Sequence, residues 1–240
     1  MLKILDHTDS TNNYAMRLVR EGLAKDGMGV AALDQTAGKG QRGKSWQAQP
    51  GKNIALSVLL DTSALKTGQQ FCLSMAVALG VHDFIKKYVQ EDLFVKWPND
   101  LYWRDRKTGG ILIENVFNGS KWNWAVAGVG INVNQTSFSK VLPNPVSLRQ
   151  ITEREFNIPR LLEELHEKIL NRTAKLKGQP QEKLLKEYNK NLYCLNEKVK
   201  LKKGNLTFET TITGVSLHGQ LHTKDAMERY FDFGEVQWLL

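Results

Sequence analysis

No stretch of this 240-residue chain is apolar for long. The longest such run, around Ala76 to Val81, falls far short of the ~20 residues that cross a bilayer, so no membrane role is expected. The first ten residues, MLKILDHTDS, lack the apolar core of a secretory leader. Cysteine is scarce. Cys72 and Cys194 allow at most one disulfide and show no CxxC spacing, which points to free thiols in a reducing cytoplasm. His218 and His222 form H-x-x-x-H, but in a strand their Cα atoms stand roughly 13 Å apart and no third ligand accompanies them. Repeats, low-complexity tracts and long linkers are also absent.

The residues present are those of an ordinary globular chain, 41% hydrophobic and 24% charged. The length allows one large domain plus a small one. A net charge of +8 admits an anionic partner, whether nucleic acid, nucleotide or acidic protein, and is equally compatible with a merely solvated surface.

A helix is expected to open near Ser10, because Asp9-Ser10-Thr11 precedes apolar positions at Tyr14, Ala15, Leu18 and Val19. GVAALDQ (29–35) and NIALSVLL (53–60) read as buried strands. Residues 69–89 are apolar almost all round at first and read as a buried helix. Strand-like runs follow at 93–97, 110–117 and 122–134, then helices at 158–176, with Pro159 at its first turn, and at 180–192. Beyond Tyr193 short alternating runs turn on Gly204, Gly214, Gly219 and Gly234, the texture of a miniature all-β barrel. The division expected is 1–190 and 191–240.

The loop GKGQRGKS (38–45) fits a dinucleotide fingerprint and a Walker A loop at once. Both need a helix that begins at the last glycine, where its N-terminus holds phosphate. Here WQAQPGKN and a strand follow, leaving no room for one. Asp61, at the fingerprint's usual acid position, is then a coincidence. A kinase flap also fails, since HRD and DFG elements are missing. What remains is chemistry: from Gly38 to Lys52 there are four glycines, four cations (Lys39, Arg42, Lys44, Lys52) and no acid. Such a loop either is a solvated hairpin or curls its amides around an anion, and an exposed Trp46 within it favours a ligand.

In KWPNDLYWRDRKTGGILIE (96–114), a strand ending at Lys96 runs through a Trp-Pro-Asn-Asp turn, and Lys107 returns toward Gly109-Gly110. Two lysines and Asp100 at one strand edge suit a nucleoside triphosphate with Mg²⁺, whose preferred ligand is hard carboxylate oxygen. An Asn-Asp turn with solvent-facing lysines is the plainer alternative.

Taken in order, QTAGKGQRGKSWQAQPGKNIALSVLL, KWPND…KTGGILIE and AVAGVGINVN resemble the biotin protein ligases across essentially the whole chain, with DSTNNYA and HGQL…FGEV alongside. The resemblance implies an α+β fold, a mixed central sheet flanked by helices of the class II synthetase-like biotin/lipoate ligase type, followed by an SH3-like barrel. It implies that biotin's carboxylate attacks the α-phosphorus of ATP, and that a lysine of a biotin carboxyl carrier protein then takes biotin from the adenylate. No enzyme nucleophile is required, so positioning and charge do the catalysis.

The same resemblance implies roles. Ser10, Thr11 and Gln35 contact biotin's ureido ring, although Ser10 also fits a plain helix N-cap, and Asn12 belongs to the biotin-binding set. Gly38, Lys39, Gly40, Gln41, Arg42 and Gly43 fold over carboxylate and adenylate, and Trp46 walls the adenine. Lys107 sits between biotin's carboxyl and the α-phosphate. Lys96, Asn99 and Asp100 serve ATP and Mg²⁺, and Asn132 closes the site. Two positions depart from the family's usual G-R-G-R-x-G. Lys39 loses arginine's bidentate fork and Gln41 loses a charge, which puts tight retention of the adenylate in question. A ligand motif only nine residues in leaves no space for a preceding helix-turn-helix, so a DNA-binding role is not expected. The partner expected is a carrier domain met by a monomer or homodimer. A lipoate or octanoate transferase of the same superfamily is the near alternative, and a basic nucleic-acid-binding module is the distant one.

Overall fold

The computed structural model describes residues 1–178 and 180–239. Strand β1 (Leu2–Thr8), helix α1 (Thr11–Arg20) and strand β2 (Gly29–Gln35) make a βαβ unit in which β1 and β2 run parallel, Leu2 opposite Gly29. Helix α1 stops where Gly22, at φ +69°, lets Leu23 N–H reach back to Leu18 O, while Gly22 N–H meets Val19 O, the Schellman arrangement. Its apolar face, centred on Ala15, packs on Val30, Leu59 and Val126. LKILDHT was not anticipated as a strand. It lies at the sheet's edge with Lys3, Ile4, Asp6 and His7 exposed, so it carries little of a buried strand's hydrophobic pattern.

The other five strands of the sheet are antiparallel. They are β3 (Ile54–Asp61), β4 (Leu93–Lys96), β5 (Asp100–Trp103), β6 (Arg106–Asn118) and β7 (Lys121–Ile131), giving the spatial order β1-β2-β3-β7-β6-β5-β4. Helix α2 (Gln70–Lys86) carries its apolar residues nearly all round because it is enclosed, packed against α4 (Ile158–Thr173), α5 (Gln181–Lys190) and β4. Pro159 stands in the first turn of α4, and Asn157 caps it by accepting from Arg160 N–H. A short α3 (Leu148–Thr152), held by a Ser147–Gln150 capping box, lies between sheet and helices and was not foreseen.

After α5 the chain runs along the β4 edge, where Val95 and Leu192 form a parallel bridge. It then builds a five-stranded antiparallel sheet from β8 (Lys198–Lys203), β9 (Leu206–Val215), β10 (Leu221–Lys224), β11 (Glu228–Phe231) and β12 (Gln237–Trp238). Gly204, Gly219 and Gly234 turn the chain between strands as read from sequence. Gly214 does not: it lies inside β9, beside a register shift opposite His222 and Thr223. Leu201, Ile212, Val215, Leu221 and Phe231 join the same core as Leu184 and Tyr188 of α5, so the two sheets share one hydrophobic interior.

Candidate functional site

The glycine-rich loop leaves β2 and enters β3 with no helix between Lys44 and Asn53; its only helical element is a single 3-10 turn at Gln41–Gly43. It closes on itself as a small hairpin. Trp46 N–H donates to Gly38 O at 2.8 Å and Gly40 N–H to Lys44 O at 2.7 Å. Gly38 is required there, because a Cβ would stand 2.5 Å from Trp46 O. The loop folds back over the sheet and roofs a cleft floored by β3, β6 and β7. Ala55, Ile111, Leu112 and Val129 supply the apolar floor. Free space beneath the roof is about 60 Å³, room for a handful of waters at ~10–15 Å³ each.

One end of the cleft is neutral and polar. Ser10 is buried and takes up N-cap geometry, yet its hydroxyl makes no cap bond, so the side chain is left to line the cleft rather than to serve the helix. Thr11 N–H donates to Gln35 Oε1 at 2.8 Å, which leaves the Gln35 amide nitrogen as a donor beside Gly38. Asn12 is buried and bonded to Ser57 and Glu114.

The other end is charged. Lys107 Nζ lies 2.6 Å from Asp100 Oδ1, an oxygen that is buried and takes no conventional hydrogen bond besides this ionic contact. Asn99 Nδ2–H donates to Ile111 O at 2.7 Å, fixing the Trp-Pro-Asn-Asp turn to β6. Lys96 stands just behind, buried, with Nζ 4.5 Å from the centre of the Tyr102 ring and 5.1 Å from that of Trp238. Burial, reinforced by the charge of nearby Lys107, pushes Lys96 down to about 8 against the pull of Asp100.

Between the two ends lies the loop. Lys39 Nζ pairs with Glu114 at 3.6 Å, and Gln41 Nε2 reaches Ile111 O at 3.5 Å. Trp46 is not exposed as expected. Its indole rests against the backbone of Gly130, at a spot a Cβ would occupy, and its buried Nε1–H has no partner. Arg42, at φ 55°, turns away from the cleft. It donates to Gly234 O at 3.0 Å and stacks on Phe233, so the C-terminal sheet is tied to the loop.

Of the residues picked from sequence, Ser10, Thr11, Asn12, Gln35, Lys39, Gly40, Gln41, Trp46, Asn99 and Lys107 line one cleft. Gly38, Lys96 and Asp100 flank it, whereas Arg42 is not brought to it. Asn132 stands apart: buried, it donates to Lys107 O and Val146 O, and so braces the strand that carries Lys107. Asp61 ends β3 opposite Trp124 and accepts from Ser63 N–H, outside the cleft lining. Sequence reasoning passed over Ser57, Glu114, Gly128 and Gly130. The two glycines were visible as AVAGVGIN, where small residues two apart leave one face of a strand open to close approach.

Residues 4–132 match the Biotin/lipoate A/B protein ligase family. The chain is 36% identical over 132 residues to the bifunctional ligase/repressor BirA of Escherichia coli, covering 54% of this chain and 40% of that protein. With the biotin–[acetyl-CoA-carboxylase] ligase of Mycobacterium tuberculosis it shares 32% over 176 residues, 70% of this chain and 64% of the other. The chain thus spans less than two thirds of the length of either relative. The fold superposes on the biotin protein ligase of Aquifex aeolicus, a complex with biotin and ATP, at a TM-score of 0.82 and 24% identity over 99% of this chain and 98% of that one. A mixed seven-stranded sheet with a βαβ edge, roofed by a basic glycine loop and matched over more than half its length, places the chain in the biotin/lipoate A/B protein ligase family.

Proposed function

We propose that the chain attaches biotin to a lysine of a biotin carboxyl carrier protein, through biotinyl-5'-AMP made from biotin and ATP. The observation that carries this reading is the polarity of the cleft: neutral donors and acceptors at Ser10, Thr11 and Gln35, and a Lys107–Asp100 pair at the far end. A cyclic urea with an acidic tail has that same division.

Biotin's ureido ring lies against Ser10, Thr11 and Gln35, its valerate tail follows the apolar floor, and its carboxylate meets Lys107. The resting volume is too small for this, so Trp46 and Gln41 shift as the ligand enters. The unpartnered indole N–H and the long Gln41 contact make that shift cheap. Lys107 neutralises charge as carboxylate and α-phosphate approach, and Lys96 and Asn99 hold the phosphates. Asp100 fits Mg²⁺ as a hard, partly buried carboxylate. The described residues hold no cluster of three acidic, histidine or cysteine ligands, so phosphate oxygens would complete the shell, as is usual for nucleotide-bound Mg²⁺. Bound there, Mg²⁺ supplies charge neutralisation on the phosphates. Asp100 would hold the ion, and Lys107, 2.6 Å from Asp100 Oδ1, would face the reacting carboxylate. The carrier lysine then attacks the mixed anhydride and AMP leaves.

The test is incubation with biotin, ATP and Mg²⁺. Pyrophosphate is released with biotin and not with lipoate, and an added carrier domain gains one biotin. Release with lipoate alone would move the chain to the lipoate branch of the family.

A further inference from the structure

Four side chains, Thr11 and Asn12 of the cleft lining with Ser57 and Glu114 behind them, form a directional hydrogen-bond relay whose root is Glu114. Asn12 Nδ2 lies 2.8 Å from Glu114 Oε2 and 3.4 Å from Leu112 O. Both of these oxygens only accept, so the amide nitrogen of Asn12 faces them and its Oδ1 faces Ser57. Ser57 Oγ, fully buried on β3, is 2.6 Å from Asn12 Oδ1 and 2.8 Å from Thr11 Oγ1. A serine has one proton. Without that proton the 2.6 Å contact would set two lone pairs against each other, so the proton belongs to Asn12 Oδ1. The contact between Ser57 and Thr11 then runs on the threonine's proton. Gly128 leaves the room the relay needs, since a Cβ on it would strike the Asn12 amide.

We infer that Glu114 and Ser57 are positioning residues that make Thr11 a pure hydrogen-bond acceptor toward the cleft. The inference rests on the biotin reading and gives it a source of specificity. Thr11 can then take only a ligand N–H, while the amide nitrogen of Gln35, whose oxygen is already engaged by Thr11 N–H, can only give to a ligand carbonyl. A cyclic urea satisfies both. A dithiolane ring offers neither N–H nor carbonyl, and the acceptor of Thr11 would be left dry and unpaired. The hydroxyl of Thr11 is thereby set before the ligand arrives, which saves the cost of ordering it on binding.

Calorimetric titration of biotin without ATP, and of ATP alone, tests this with the wild-type chain, Ser57→Ala and Glu114→Gln. Ser57→Ala leaves the Lys39–Glu114 pair intact, so a loss there is not a loss of the loop. In that variant biotin should bind about tenfold more weakly, the effect of one hydrogen bond to a preset partner, with ATP affinity within twofold of wild type. Glu114→Gln, whose amide accepts or donates equally, should weaken biotin several-fold. Biotin affinity within twofold of wild type in both variants overturns the relay and leaves the functional reading standing. So does a parallel loss of biotin and ATP affinity, the mark of a damaged cleft. A wild-type chain that binds no biotin overturns both.

Discussion

Lys107 Nζ and Asp100 Oδ1 stand 2.6 Å apart on adjacent strands, although the two residues are not cross-strand partners. The ladder between β5 and β6 slips one residue between Leu101 and Tyr102, so Lys107 lies opposite Tyr102 and Asp100 opposite Gly110. The lysine side chain crosses the gap. Lys107→Ala should cut biotin-dependent pyrophosphate release by roughly 10²-fold or more, the usual loss for one transition-state cation. Both side chains are partly solvated, so the melting temperature should hardly move. Activity within tenfold of wild type would remove Lys107 from the reaction.

Lys96 gives a pH signature. Buried under Tyr102 and Trp238, it loses its proton at about 8 rather than at the ordinary 10.5. The unfolded chain binds this proton more tightly, so through this residue stability rises as pH climbs from about 8 toward 10.5. Binding goes the other way, because a polyphosphate needs the charged form. The KM for ATP should therefore rise above about pH 8 while the KM for biotin stays level. A flat ATP profile from about pH 7 to 9.5 would show that Lys96 does not meet the nucleotide.

The Trp46 indole occupies the space that Gly130 leaves vacant. Gly130→Ala forces the ring outward and, on the proposal that Trp46 walls the adenine, should raise the KM for ATP roughly tenfold with a smaller effect on biotin. If both constants shift equally, Trp46 is a general lid rather than a nucleotide contact.

Gln41 brings no charge to a loop whose neighbouring arginine is turned toward Gly234. On the proposed reaction fewer charge-assisted contacts would hold an adenylate phosphate, and the intermediate should escape to modify lysines of bystander proteins. Serum albumin incubated with enzyme, biotin and ATP should become biotinylated, and Gln41→Arg should reduce the labelling. Unlabelled albumin would mean that loop amides suffice to hold the adenylate.

Much of the site was legible because its chemistry is written in short polar motifs on loops and helix starts. Gly38, Lys107 and Asn99 were singled out through the family resemblance of their motifs, since the residues alone left a solvated hairpin and a plain Asn-Asp turn open. The structure brings Asn99 and Lys107 into one cleft. The extents of α2 and β2 followed from periodicity, whereas the α+β class came from the family resemblance. Strand β1 escaped because an edge strand need not alternate cleanly, and β5 because DLYW is only four residues whose two buried members are adjacent rather than alternating. Ser57 was hidden for another reason. A serine inside NIALSVLL looks like an ordinary core substitution, and only the approach of Thr11 and Asn12, more than forty positions earlier, gives it a task. The outward turn of Arg42 and the cover of Trp238 over Lys96 are long-range facts with no local signal.

That cover couples two separate sheets through a single charge. Lys96 ends β4 of the seven-stranded sheet, and the ring over it, Trp238, belongs to β12 of the five-stranded one. Were β12 to lift away from β4, water would reach the ammonium and its proton affinity would climb back toward the ordinary lysine value. The docking of the smaller sheet is thus read out, at a distance, in how tightly one lysine holds its proton.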